Sequence, residues 1–126
     1  MKNSSITQTL QARMDSWMQR CFGKNISENI HERNFRVLEE CLELVQASGL
    51  NKQEAQVVLD YVYSRPAGDV RQEIGGAVLT LSAYCSAHNL DMLAMAEEEL
   101  ARIEKIPDKV REKHRTKPDF MVAVRE

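Results

Sequence analysis

What this chain has little of excludes several large classes of protein. Aromatic residues make up only 6% of it, and its 126 residues include just three prolines and five glycines. A β-sandwich or barrel needs many short strands separated by frequent Gly and Pro turns. Their scarcity favours helices. No apolar run approaches the roughly 20 residues of a membrane span. The opening Met1-Lys2-Asn3-Ser4-Ser5 is not followed by an apolar core, so a signal peptide is not expected. Neither sign of charge dominates. The formal net charge of −2 gives no general case for nucleic-acid binding. Cys21, Cys41 and Cys85 are odd in number, and no pair has the spacing of a metal knuckle or redox motif. His31, His88 and His114 are scattered without ligand spacing. No internal repeat or low-complexity segment is present.

What remains is one domain by size, with 43% hydrophobic and 29% charged residues. Such a chain can bury about two-thirds of its unfolded surface. Cys41 and Cys85 fall on apolar helix faces. They read as small core residues in a reducing compartment, which points to the cytoplasm.

Periodicity and caps predict five helices. The first runs from about Ser5 to Phe22, with a Ser5–Gln8 capping box and a stripe of Ile6, Leu10, Met14, Trp17, Met18 and Cys21. Gly23 stops it. The second runs from about Ser27 to Ser48 and ends at Gly49. Its apolar arc is Phe35, Leu38, Cys41, Leu42 and Val45. The third runs from Asn51 to about Ser64, with Asn51 and Glu54 as a capping pair. Pro66-Ala67-Gly68 then breaks the chain. The fourth runs from Asp69, its N-cap, to His88, and Asn89 closes it in a left-handed conformation. Its apolar face carries Val70, Ile74, Ala77, Val78, Leu81 and Cys85. The fifth starts near Asp91, carries Met92, Met95, Ala96, Leu100 and Ile103, and is interrupted at Pro107. Residues 1–106 form the expected helical domain. Residues 107–126 form a basic C-terminal tail, read as a short exposed helix that frays.

The feature that could carry chemistry is Glu39-Glu40-Cys41-Leu42-Glu43. At about 100° per residue the three carboxylates share an arc of about 100° that borders the apolar face. Like charges so placed repel, and a divalent cation is one compensation. Glu40 and Glu43 are three apart, so their carboxylates can meet at a point. Glu73 sits beside the apolar face of the fourth helix. If the second and fourth helices pack antiparallel, Glu73 can approach the Glu39–Glu43 arc, as metal sites in bundles are built from facing helices. The plain alternative is a solvated acidic patch balanced by Arg33 and Arg36.

These residues resemble a family. Leu38-Glu39-Glu40-Cys41-Leu42-Glu43-Leu44, then Glu73-Ile74-Gly75-Gly76-Ala77-Val78, then His88-Asn89-Leu90-Asp91, are similar to the MazG-like all-α nucleotide pyrophosphohydrolases. The family pattern is Glu-Glu-x-x-Glu, a spacer, then Glu-x-x-Asp, and the resemblance covers about residues 5–106. The helix with Tyr61 and Tyr63 and its Arg65-Pro66 corner is similar to versions in bacteriophage and prophage genomes. The resemblance implies an all-α bundle of four to five helices that assembles as a dimer or tetramer. It implies hydrolysis of nucleoside or deoxynucleoside triphosphates to the monophosphate and pyrophosphate. It implies Mg²⁺, or Mn²⁺, held by Glu40, Glu43 and Glu73. Glu39 is the candidate general base. Arg102, Lys105 and Lys109 are the candidate phosphate-binding residues. Tyr61 and Phe35 are candidates for stacking on the base, whereas Trp17 reads as core.

One departure matters. The second motif should end in Asp, and Gly76 stands there instead. The spacer of 29 residues between Glu43 and Glu73 is also wide. Asp69, Glu73, Gly76 and Thr80 share a stripe of about 60°. Asp69 is therefore a candidate substitute ligand, in competition with its role as N-cap. Water could also fill the position. The alternative function is a helical dimer that has lost catalysis and binds nucleotide or a partner. A basic-tailed nucleic-acid binder is a third class, and a membrane role is not expected.

Overall fold

The computed structural model describes the backbone of residues 2–125 and the side chains of residues 9–120 and 122–125. The expected Ser5–Gln8 box and Ile6 lie outside the described side chains. Among the described residues every regular element is helical. The order is α1 (Lys2–Phe22), α2 (Lys24–Ser27), α3 (Ile30–Ala47), α4 (Lys52–Tyr63), α5 (Val70–Ala87), α6 (Met92–Glu104), α7 (Pro107–Thr116) and α8 (Phe120–Arg125). No helix of the described residues is long and apolar enough to cross a membrane.

Several stops form as their residues dictate. Gly23, Gly49 and Asn89 take positive φ values of 84°, 101° and 57°. After Gly49, the Leu50 N–H reaches back to the Val45 carbonyl at 2.9 Å, and the Leu90 N–H does the same to Cys85 at 2.9 Å. The Asn51–Glu54 capping box closes in both directions, at 2.8 and 3.0 Å. Asp91 caps α6 by accepting from the Ala94 N–H at 2.7 Å.

The long helix expected from Ser27 is corrected to two pieces. Ser27 closes α2 by donating its Oγ hydrogen to the Lys24 carbonyl at 3.2 Å, and α3 begins only at Ile30. A serine that bonds backwards ends a helix; it does not cap the next one.

The chain divides into two compact units, Met1–Asn29 with Tyr84–Glu126, and Ile30–Ala83. In the first unit α1 packs on α2, α6 and α7, and α6 packs on α7. Trp17, Met18 and Cys21 form its core, lined by Phe22, Ile103 and Val110. The Trp17 and Phe22 rings meet edge-on at 5.9 Å. Arg13 ties α1 to α6 through Glu97 at 2.6 Å and Glu104 at 2.8 Å. The segment after Pro107 does not fray at once. Pro107 opens α7 at a first-turn position that suits its fixed φ. Val110 then joins the core, and the Arg111 Nε–H donates to the Cys21 carbonyl at 3.0 Å.

The second unit has the opposite character. None of its residues from Ile30 to Ala83 is buried. α3, α4 and α5 take part in none of the helix packings just named. The antiparallel packing of α3 on α5 expected from their stripes is therefore not formed within the single chain. Cys41, expected in a core, is exposed for the same reason, whereas Cys21 is buried and Cys85 half-buried.

Candidate acidic site

α3 carries two kinds of glutamate. On one edge Arg36 joins Glu32 and Glu39, its Nε at 2.7 Å from Glu32 and its Nη1 at 3.4 Å from Glu39. All three side chains are sheltered, at 16% exposure for Arg36, 21% for Glu32 and 15% for Glu39. Arg33 adds a looser contact to Glu32 at 3.8 Å, and partial burial lowers its pKa from the usual value. Glu32 was missed by sequence reasoning. Its spacing of four before Arg36 was the available signal.

One turn away, Glu40 and Glu43 are exposed and make no ion pair with any described residue. They border the exposed apolar side chains of Leu38, Leu42 and Leu44. Two uncompensated carboxylates on adjacent turns, next to apolar surface, are an unfavourable arrangement for an isolated helix.

Glu73 lies in the first turn of α5 and is also exposed. Its carboxylate folds back over Gly68, so closely that a Cβ at residue 68 would stand 2.6 Å from Oε1. The glycine of the Pro66-Ala67-Gly68 corner thus leaves room for Glu73, a role its sequence position did not reveal. Asp69 accepts from the Gln72 N–H at 3.1 Å, which is the N-cap role weighed against ligation. At Gly75 and Gly76 an added Cβ would meet nothing within 4 Å.

The structure does not bring Glu73 to Glu40 and Glu43 within one chain. Among the described residues no three His, Cys, Asp or Glu side chains converge as a metal site. The donor chemistry still suits Mg²⁺. Glu40 and Glu43 offer hard, exposed oxygens three residues apart on α3, and Mg²⁺ commonly keeps several waters and takes one or two carboxylates.

The other candidates divide between the units. Tyr61 is exposed on α4, with the Arg65 guanidinium 5.3 Å from its ring centroid and Arg65 Nη1 donating to its hydroxyl at 3.1 Å. From sequence Arg65 was noted only as part of the Arg65-Pro66 corner, although its spacing of four from Tyr61 permits the contact. Phe35 is half-buried and meets the His31 ring at 5.1 Å. Arg102, Lys105 and Lys109 all lie in the first unit. Arg102 is already paired, its Nε 2.9 Å and its Nη2 2.5 Å from Glu99. This hydrogen bond holds the Glu99 carboxyl below its usual range. Lys105 caps the end of α6, and Lys109 is exposed on α7.

Compared with known protein families, curated proteins and solved structures, the chain matches none.

Proposed function

We propose that the chain is a metal-dependent nucleotide pyrophosphohydrolase acting on nucleoside or deoxynucleoside triphosphates. The observation that carries this reading is the contrast along α3. Glu32 and Glu39 are neutralised by Arg36, while Glu40 and Glu43 stand exposed and unpaired one turn apart. A helix that compensates one pair of acids and leaves its neighbours free has a place for an external cation. The resemblance of the two acidic motifs to the MazG-like pattern supplies the reaction class.

Glu40 and Glu43 would hold Mg²⁺, with Glu73 as the third carboxylate. When bound there, the cation would polarise phosphoryl oxygens and lower the pKa of water, the chemistry a triphosphate needs. Glu39 accepts the proton of the attacking water at a carboxylate oxygen, held in orientation by Arg36. Attack at the α-phosphorus expels pyrophosphate. The resemblance assigns neutralisation of the phosphates to Arg102, Lys105 and Lys109, of which Arg102 would first have to release Glu99. Tyr61, backed by Arg65, offers a ring face for the base, with Phe35 beside it in role. The same reading includes a cytoplasmic protein that self-associates as a dimer or tetramer.

Gly76 favours a second reading, a helical dimer that binds nucleotide without turnover. Open space stands where the second motif's carboxylate would be. A panel of nucleoside triphosphates with Mg²⁺ or Mn²⁺ separates the two. Pyrophosphate release that Glu43→Ala abolishes supports the enzyme. Nucleotide binding with no release from any triphosphate sinks it in favour of the second reading.

A further inference from the structure

Taken by itself, the unit Ile30–Ala83 buries no residue and exposes sixteen large apolar side chains. Helices with that much apolar surface need a second apolar face to fold against. The uncovered apolar surface is concentrated in Ile30–Ala83. On α4, Val57, Val58, Leu59, Tyr61, Val62 and Tyr63 are exposed over an arc of about 240°. α5 carries no charged residue from Ile74 to Ala87. A helix apolar on all sides belongs in an interior. Yet Ile74 is 60% exposed and Leu79, on about the opposite side, is 74% exposed. Such a helix needs cover on two faces.

A second copy has the matching surface. A two-fold interface is self-complementary, so three uncovered helices in one copy meet the same three in the other. Charge decides the pairing. α3 against its own counterpart would oppose two Glu40–Glu43 arcs, which repel. α5 carries only Arg71 and Glu73, so α3 against the other copy's α5 covers both apolar stripes and brings one further carboxylate to each Glu40–Glu43 arc instead of two. The open space over Gly75 and Gly76 permits close helix approach there.

We infer that Ile30–Ala83 is the interface between two copies of this chain, with α3 of one copy against α5 of the other. The acidic site is then incomplete without the second copy: each copy's Glu40 and Glu43 are joined by the other copy's Glu73. The metal arm of this inference rests on the proposed function; the interface does not.

Sedimentation equilibrium of the full chain at micromolar concentration should give at least twice the chain mass. The mass of one chain overturns the inference. Leu79→Glu, at a side chain that makes no core contact in the single chain, should shift the mass to monomer with helical circular dichroism retained. A dimer undisturbed by it counts against the placement. Helix pairing is read by cross-linking co-expressed chains. One carries Glu43→Cys, the other a tag and Glu73→Cys, and both carry Cys41→Ser and Cys85→Ala. A short bismaleimide should give a band joining tagged to untagged chain. Dimers that yield no such band overturn the pairing of α3 with α5. A cross-linked dimer whose wild type releases no pyrophosphate keeps the interface and removes the catalytic reading.

Discussion

Gly76→Asp adds the carboxylate that the proposed function expects at this position, and its consequences can be worked out term by term. The new Cβ meets nothing within 4 Å, so no neighbour must move. The introduced carboxylate lies three residues from Glu73, and repulsion between such neighbours costs about 0.2–0.5 kcal/mol. Removing a glycine from a helix interior returns a few tenths of a kcal/mol when Asp replaces it. The two effects nearly cancel, so the metal-free protein should melt within about 2 °C of wild type. Metal binding separates them. A tenfold gain in affinity adds about 1.4 kcal/mol at saturating cation. For 126 residues the unfolding entropy is about 0.26 kcal/mol per degree, which converts that gain to about 5 °C. Calorimetric melting with and without millimolar Mn²⁺ measures the difference. The metal-dependent rise in Tm should be about 5 °C larger in Gly76→Asp than in wild type, with pyrophosphate release increased. Gly76→Ala is the control, because its stabilisation of roughly 1 kcal/mol comes from helix propensity and needs no metal. Equal metal-dependent shifts in wild type and Gly76→Asp would refute the placement of a cation beside Glu73.

Three further predictions follow from the packing. Trp17→Ala removes the largest member of a core that holds few buried residues, and should cost about 3–5 kcal/mol in denaturant unfolding; a loss under 1 kcal/mol would show that the α1–α7 packing is not a stability determinant. Asn51→Ala removes the side-chain half of the capping box on α4, leaving the backbone N–H of residue 51 on Glu54, and should cost about 1 kcal/mol, read as a fall in the denaturant midpoint with unchanged slope. Thiol labelling with iodoacetamide at pH 8 should modify exposed Cys41 first and Cys21 last, because burial pushes the Cys21 thiol pKa up and leaves it protonated; mass spectrometry of the time course would expose the opposite order. If the interface forms, Cys41 labelling should also slow as protein concentration rises.

How much was legible in the sequence depended on the range over which each feature is decided. Caps were legible because they are local. Asn51, Asp91 and Asn89 act through atoms within five residues, and each does what its side chain or left-handed tolerance dictates. Ser27 misled because a serine between two apolar patterns can close one helix or open the next, and only the direction of its hydroxyl decides. The all-α class was legible from the scarcity of turn residues and the 3.6-residue stripes. The core was half legible. Trp17, Met18 and Cys21 lay on a stripe that the chain itself covers with α6 and α7. The equally regular stripes of α3 and α5 are exposed. Periodicity reports which residues share a face and says nothing of what covers it. The same limit governs the acidic site. Glu40 and Glu43 are neighbours by sequence because both ride one helix turn, and both are exposed on α3. Glu73 was placed with them only by assuming that α3 and α5 of one chain face each other. The free carboxylates, the uncharged length of α5 and the open space over Gly76 are all explained if the missing face belongs to another copy. In that arrangement the substitution at Gly76 takes on a second meaning. The open space over Gly76 leaves room for an added carboxylate on the face turned to the other copy, so Gly76→Asp tests the proposed shared site as well as the cation.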